Sequence, residues 1–224
     1  MDALNVENLT VTYEGGYSPF KNLTLSIADG QATVICGSSG CGKSTLCSTV
    51  CGLIPGVKKA KINGTVKIYG KLISDMSPSD IASKVGMVFQ NPDDQLICTT
   101  VEDELAFGLE NLCVPRDEIR KRIDCQMRYF SIDHLALKNP SKLSGGQKKL
   151  VTIASVLVLE PDIIILDEPM TGLDENSRML VDSAVRKLRD DGRTLIVVEH
   201  WLDNTDYADE IINIETLAGR SDGQ

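Results

Sequence analysis

The residues most committed to chemistry in this chain are Gly37-Ser38-Ser39-Gly40-Cys41-Gly42-Lys43-Ser44-Thr45. Gln31 to Cys36, just before them, reads as a short buried strand, and Lys43 to Leu53 reads as a helix. The glycines therefore occupy a strand-to-helix turn. There, successive backbone N–H groups can curl round an anion, and the helix N-terminus adds partial positive charge. In that setting Lys43 reaches the β- and γ-phosphates of a nucleoside triphosphate, and the Ser44 hydroxyl is placed to ligate Mg²⁺. A Gly/Ser-rich turn with no ligand is the bland alternative, disfavoured by having Gly, Gly, Lys and Ser all in register.

Five other groups could serve the same chemistry. Asp162 to Leu166 is an apolar run expected of a central parallel strand, and it ends in Asp167-Glu168-Pro169. Asp167 fits a Mg²⁺ ligand, directly or through water, and Glu168 fits the group that polarises an attacking water. Gln90 follows the buried strand Val85 to Phe89, where a neutral amide holds Mg²⁺ or the water without repelling either. His200 follows Leu195-Ile-Val-Val-Glu199 and is placed to bond a γ-phosphate, although a lone strand-end histidine is more often structural. His134, in a polar loop, keeps that structural reading. Leu143-Ser-Gly-Gly-Gln147 opens a helix carrying Leu150, Val151, Ala154, Leu157 and Val158. Its start is either a second anion site on another surface or only a capping turn. Tyr13 either stacks on adenine or simply ends a strand.

The elements that must position these groups fall into an α/β pattern. Leu4 to Thr12, Leu23 to Ile27 and, after Asn63-Gly64, Thr65 to Tyr69 read as an antiparallel layer beside the nucleotide core. Val101 to Asn111 reads as a helix with Val101, Leu105 and Leu109 inward and Glu102, Asp103 and Glu104 outward. Arg116 to Phe130 is a second helix, with Ile119, Ile123, Met127 and Phe130 on one stripe. Both lie between the phosphate loop and Asp167, so residues of about 92–158 form a helical insertion. Thr171 to Asp174 makes a turn, and the helix Glu175 to Arg189 stops at Asp190-Asp-Gly192. The expected fold is a P-loop NTPase core with a mainly parallel sheet, an N-terminal antiparallel β subdomain and that insertion, in one domain over 1–224.

At 224 residues the chain can bury a core without disulfides. Seven cysteines without metal-like Cys/His spacing fit a reducing compartment. The net charge of −9 and pI near 4.8 argue against bulk nucleic-acid binding and adhesion to anionic lipid. The acidic start Met1-Asp-Ala-Leu-Asn-Val-Glu is unlike a signal peptide, and no apolar run approaches the ~20 residues of a membrane helix. Work at a membrane would require another protein to hold this one there.

Taken in order, the phosphate loop, Gln90, Leu143-Ser-Gly-Gly-Gln147, Asp167-Glu168, Asp174 and His200 resemble the nucleotide-binding domain of ATP-binding cassette proteins across essentially the whole chain. The resemblance implies ATP and Mg²⁺, and two copies closed head to tail around two ATP molecules. Ser144, Gly145 and Gly146, with Gln147 in the same motif, then face the γ-phosphate held by the other copy. It further implies that Tyr13 stacks on adenine and that Asp174 links the two sites. Phe89 to Gln95 and Val101 to Asn111 look like the ATPase components of energy-coupling factor transporters, prokaryotic importers of vitamins and of metal ions such as cobalt or nickel. That resemblance implies a homodimer or a heterodimer with a related ATPase. It also implies docking on a transmembrane coupling protein that carries a small substrate-binding membrane protein, at the cytoplasmic face of the membrane. An acidic groove of Asp93, Asp94, Glu102 and Glu104 would suit arginines of that partner.

Met170 and Leu150 depart from the family pattern, which has a small polar residue and an arginine there. The short segment after Ile214 leads to the expectation of a nucleotide-dependent rather than permanent dimer. Cys41, beside a helix N-terminus, is expected to have a lowered thiol pKa, with alkylation blocking activity and ATP protecting. Three alternatives stay open: the ATPase of another transporter such as an exporter, a soluble cassette ATPase, and a non-hydrolysing regulatory module.

Overall fold

The computed structural model describes residues 1–200 and 205–217. The chain opens with β1 (Asp2–Tyr13), β2 (Leu23–Ala28) and β3 (Ala32–Cys36), and the phosphate loop joins β3 to α1 (Lys43–Val50). The helix expected to reach Leu53 stops at Val50, because Gly52 takes a left-handed φ of 71° and starts the separate short turn α2 (Leu53–Gly56). Next come β4 (Ala60–Ile68), β5 (Lys71–Leu72), α3 (Pro78–Lys84) and β6 (Val85–Val88). Asn63-Gly64 lies inside β4 rather than ahead of it, where the β1 and β4 pairing slips between Glu7 and Thr10. A turn-type dipeptide there makes a bulge, not a hairpin.

Three helices follow, α4 (Val101–Asn111), α5 (Arg116–Tyr129) and α6 (Gly145–Leu157). The chain ends with β7 (Ile163–Asp167), α7 (Glu175–Asp190), β8 (Thr194–Glu199), β9 (Glu210–Asn213) and the short α8 (Ile214–Leu217). Four strands form an antiparallel sheet in the order β2-β1-β4-β5, and five form a second sheet in the order β6-β7-β8-β3-β9. The pairings within the second sheet are all parallel.

Both faces of the parallel sheet are covered, which explains the unbroken apolar runs of its strands. Ile164, Leu166, Leu195 and Val197 face a core shared with α4 to α7. Ile163, Ile165, Ile196 and Val198 face the opposite core, built with α1 and the antiparallel sheet. The parallel strands β3, β7 and β8 thus deliver their C-terminal ends, and the residues just beyond them, to one edge of the molecule.

α4 forms where its periodicity placed it. Thr100 caps it by accepting from Asp103 N, and Val101, Leu105 and Leu109 are fully buried, worth roughly 1.5–3 kcal/mol each. Glu104 does not face outward as expected. It is buried, and its carboxylate accepts the N–H groups of Ile97 and Cys98, both at 2.8 Å. The loop ahead of α4 had to satisfy those donors, and Glu104 does so. It therefore leaves the proposed acidic groove, while Asp93 is engaged by Lys148 at 2.6 Å. Among the described residues, no helix is long and apolar enough to cross a membrane.

Candidate functional site

Gly42 carries the turn from the phosphate loop into α1 at φ 103°, and a Cβ there would overlap the Phe20 ring. No other residue type fits that position. The N-terminus of α1 has no side-chain cap and no acid in its first turn, so its amide donors remain available to an anion. Lys43 is buried and arches over the loop, donating to Gly37 O at 2.7 Å and Ser38 O at 3.0 Å. Ser38, in turn, donates its N–H and hydroxyl to Glu215 of α8. Ser39, Gly40 and Ser44 are exposed along the same loop. Tyr13 reaches the loop through Thr45, hydroxyl to hydroxyl at 3.0 Å, and its ring stacks on Tyr17 with centroids 6.4 Å apart.

The acids at the end of β7 converge with residues from two other elements. Glu168 sits at φ 44°, a left-handed conformation that a side-chain-bearing residue adopts only under constraint. Its N–H is held by Val198 O at 3.0 Å. Its Oε1 accepts from His200 Nε2 at 2.6 Å, and its Oε2 accepts from Gln90 Nε2 at 2.6 Å and Thr171 Oγ1 at 3.2 Å. His200 Nδ1 faces Lys43 Nζ at 3.3 Å. Because an ammonium only donates, Nδ1 accepts, and the ring proton on Nε2 goes to Glu168.

Asp167 is buried, and its Oδ1 has no hydrogen-bond partner among the described residues. Burial raises its pKa, opposed first by a hydrogen bond from Ser44. An orphaned carboxylate oxygen beside a hydroxyl is a donor set suited to a hard divalent cation. No cluster of three or more His, Cys, Asp or Glu capable of holding a metal occurs among the described residues. A cation here would thus draw on Ser44, Asp167 and Gln90 oxygens together with substrate phosphate and water, which is how Mg²⁺ is usually held.

Two ionisable residues behind this cluster escaped the sequence reading. Lys149 is fully buried on α6 and donates to Phe89 O at 3.0 Å and Gln90 O at 2.7 Å. Burial pulls its pKa down to about 8, against the pull of Asp167, Glu199 and Glu168. Glu199, at the end of β8, has its pKa pushed up to about 7 by burial and then by the Glu168 charge. The available signal for Lys149 was its place in the apolar stripe Gly146, Lys149, Leu150, Ile153, where a lysine requires a partner.

Ser144 and Gln147 form a capping box at the start of α6, so the Gln147 side chain serves the helix end rather than a ligand. Ser144 and Gly145 are exposed, whereas Gly146 is buried: a Cβ on it would lie 2.8 Å from Ser177 Cβ on α7. No hydrogen bond among the described residues joins this turn to the phosphate loop. Asp174 caps α7 by accepting from Ser177 N at 2.9 Å. The lowered thiol pKa expected for Cys41 is not found. Burial raises its thiol pKa, outweighing the charge of Lys43, so the thiolate is disfavoured.

A family model described as ABC transporter matches residues 20–171. The chain belongs to the ABC transporter family. Among ABC relatives, it is 39% identical over 219 residues to the energy-coupling factor transporter ATP-binding protein EcfA of Carboxydothermus hydrogenoformans, covering 97% of this chain and 78% of that protein. It is 37% identical over 216 residues to a putative ABC transporter ATP-binding protein of Methanosarcina mazei, of which it spans only 37% of the length. Among solved ABC structures, cbiO1 from Clostridium perfringens, described as part of the ABC transporter complex cbiONQ, superposes with a TM-score of 0.83. That pair shares 37% identity, covering 94% of this chain and 83% of the other. As an ABC chain, its mixed α/β fold with an antiparallel N-terminal sheet and a parallel core is that of its structural neighbours.

Proposed function

We propose that this ABC chain binds and hydrolyses ATP to energise a membrane importer of the energy-coupling factor type, taking up a vitamin or a transition-metal ion. The observation that carries the catalytic half is the convergence of Gln90, His200 and Thr171 on the strained Glu168, next to the phosphate loop. Similarity to EcfA and cbiO1 supports the transport half.

In this reading the N–H groups from Gly40 to Thr45 cradle the phosphates, and Lys43 exchanges its loop carbonyls for the β- and γ-phosphate oxygens. Tyr13 carries the adenine on its ring face. Ser44, Gln90 and Asp167 would hold Mg²⁺, which when bound would supply positive charge to the phosphate oxygens. Glu168 keeps a lone pair on Oε1 beyond those used by His200, Gln90 and Thr171, and with it orients water and takes up its proton. His200, fixed between Lys43 and Glu168, would turn its Nε2–H from Glu168 to the γ-phosphate when nucleotide binds. Two chains, alike or related, close head to tail, and Ser144, Gly145 and Gly146 meet the nucleotide of the other. Opening after hydrolysis moves α4 and α5 against a transmembrane coupling protein that holds the substrate-binding membrane protein, at the cytoplasmic face.

Capture of the tagged chain from native membranes solubilised in mild detergent tests the transport half. The expected yield is a multi-helix coupling protein together with a small integral-membrane binder. Recovery of soluble partners alone, with the chain absent from washed membranes, would leave an ATPase and discard the importer.

A further inference from the structure

Lys149 is 0% exposed, yet its hydrogen bonds go to two main-chain carbonyls, those of Phe89 and Gln90. An apolar side chain of the same length would fill the space with no charge to desolvate, so the ammonium has a use at those carbonyls. They mark the point where β6 gives way to the loop whose Gln90 side chain reaches Glu168. The neighbouring Lys148 holds the same loop further on, through Asp93 at 2.6 Å. Gln95 closes the loop onto β6 by accepting from Phe89 N and donating to Met87 O. Lys148 and Lys149 lie about one helical turn from Ser144, in the helix that the Ser144 and Gln147 capping box begins. A continuous run of fixed contacts therefore leads from the exposed Ser144 turn, through α6 and Lys149, to Gln90 and Glu168.

We propose that Lys149 is a positioning residue that ties the Gln90 loop to the Ser144 helix. Engagement of Ser144 and Gly145 by the partner subunit's nucleotide then sets the placement of Gln90 and Glu168 in this subunit's own site. The inference rests on the head-to-tail dimer of the proposed function. It makes one buried lysine the link through which one ATP site senses the other, and it explains why a lysine is kept in an otherwise apolar stripe.

The test compares the full chain with Lys149→Met, which keeps length and packing but removes the donors, and Lys149→Arg, which keeps them. In Lys149→Met, kcat is expected to fall ~10–100-fold, as for losses of outer-shell partners, while KM and nucleotide affinity stay within about threefold. The Hill coefficient for ATP drops toward unity, and nucleotide-free hydrogen exchange across residues 89–94 speeds up without a matching loss of melting temperature. Lys149→Arg recovers most of the rate and the cooperativity. Unchanged kcat and cooperativity in Lys149→Met would overturn the inference alone, since turnover by the wild type upholds the ATPase reading. Absence of turnover in the wild type would overturn both. If Lys149→Met does not fold, Lys149→Gln takes its place, and failure of all three variants to fold would make Lys149 a structural residue and end the proposal.

Discussion

At the scale of single residues, the site concentrates charge that it cannot all ionise at once. Glu199 has a folded-state pKa raised to about 7 from 4.5, with burial as the main cause and Glu168 next. Below the unfolded value both states hold the proton and burial costs nothing. As pH rises through the window from 4.5 to about 7, the unfolded chain releases its proton first and stability is lost. Lys149, lowered to about 8 from 10.5, acts in the opposite sense, at higher pH: stability returns as the folded amine loses its proton ahead of the unfolded one. Glu199→Gln removes the first effect. Its stability relative to the wild type is expected to rise between pH 4.5 and 7.5, by roughly 1–2 kcal/mol after allowing for partial solvent exposure. Chemical denaturation across that range checks this, and a pH-independent difference would refute it. The catalytic candidates themselves were legible as residue types at strand ends. What the sequence could not show was that Gln90, His200 and Thr171 all spend hydrogen bonds on Glu168, because those contacts join positions up to 78 residues apart.

At the scale of elements, the close crossing of α6 and α7 depends on Gly146, whose missing side chain lets Ser177 approach. Gly146→Val is expected to destabilise the fold by about 1–3 kcal/mol, the usual cost of overpacking, while the phosphate loop still binds nucleotide. Denaturant unfolding paired with a nucleotide titration separates the two effects; equal stability would show that α7 shifts freely. Helices with a clear stripe and a capping residue, such as α4 after Thr100, were readable because both signals are local. Glu104 was misread because its partners, the N–H groups of Ile97 and Cys98, belong to an irregular loop that no periodicity announces. The Asn63-Gly64 pair was ambiguous for a related reason: a left-handed glycine serves a bulge as readily as a turn, and pairing with β1 decides which.

At the scale of the whole molecule, the proposed mechanism sets Ser144 of one copy on the nucleotide of another, so turnover needs a second copy. Glu168→Gln is expected to lower ATP turnover ~10²–10⁴-fold, the usual contribution of a general base, while ATP binding persists and the unhydrolysed nucleotide holds the pair together. Sedimentation with Mg²⁺ and ATP should show dimers of this variant and monomers when nucleotide is removed. A monomer under both conditions would end the head-to-tail reading, and full turnover would end the assignment of Glu168 as general base. The sequence by itself determined the order of the motifs, the buried parallel strands and the glycine turn that cradles phosphate, since each depends on near neighbours in the chain and on residue type. Only the tertiary structure decided that Asp167 keeps a buried oxygen unpartnered among the described residues, that burial raises the Cys41 thiol pKa, and that Lys149 fastens the Gln90 loop. Burial and long-range hydrogen bonding set those properties, and both arise from which surfaces meet once the sheet and its helices have packed.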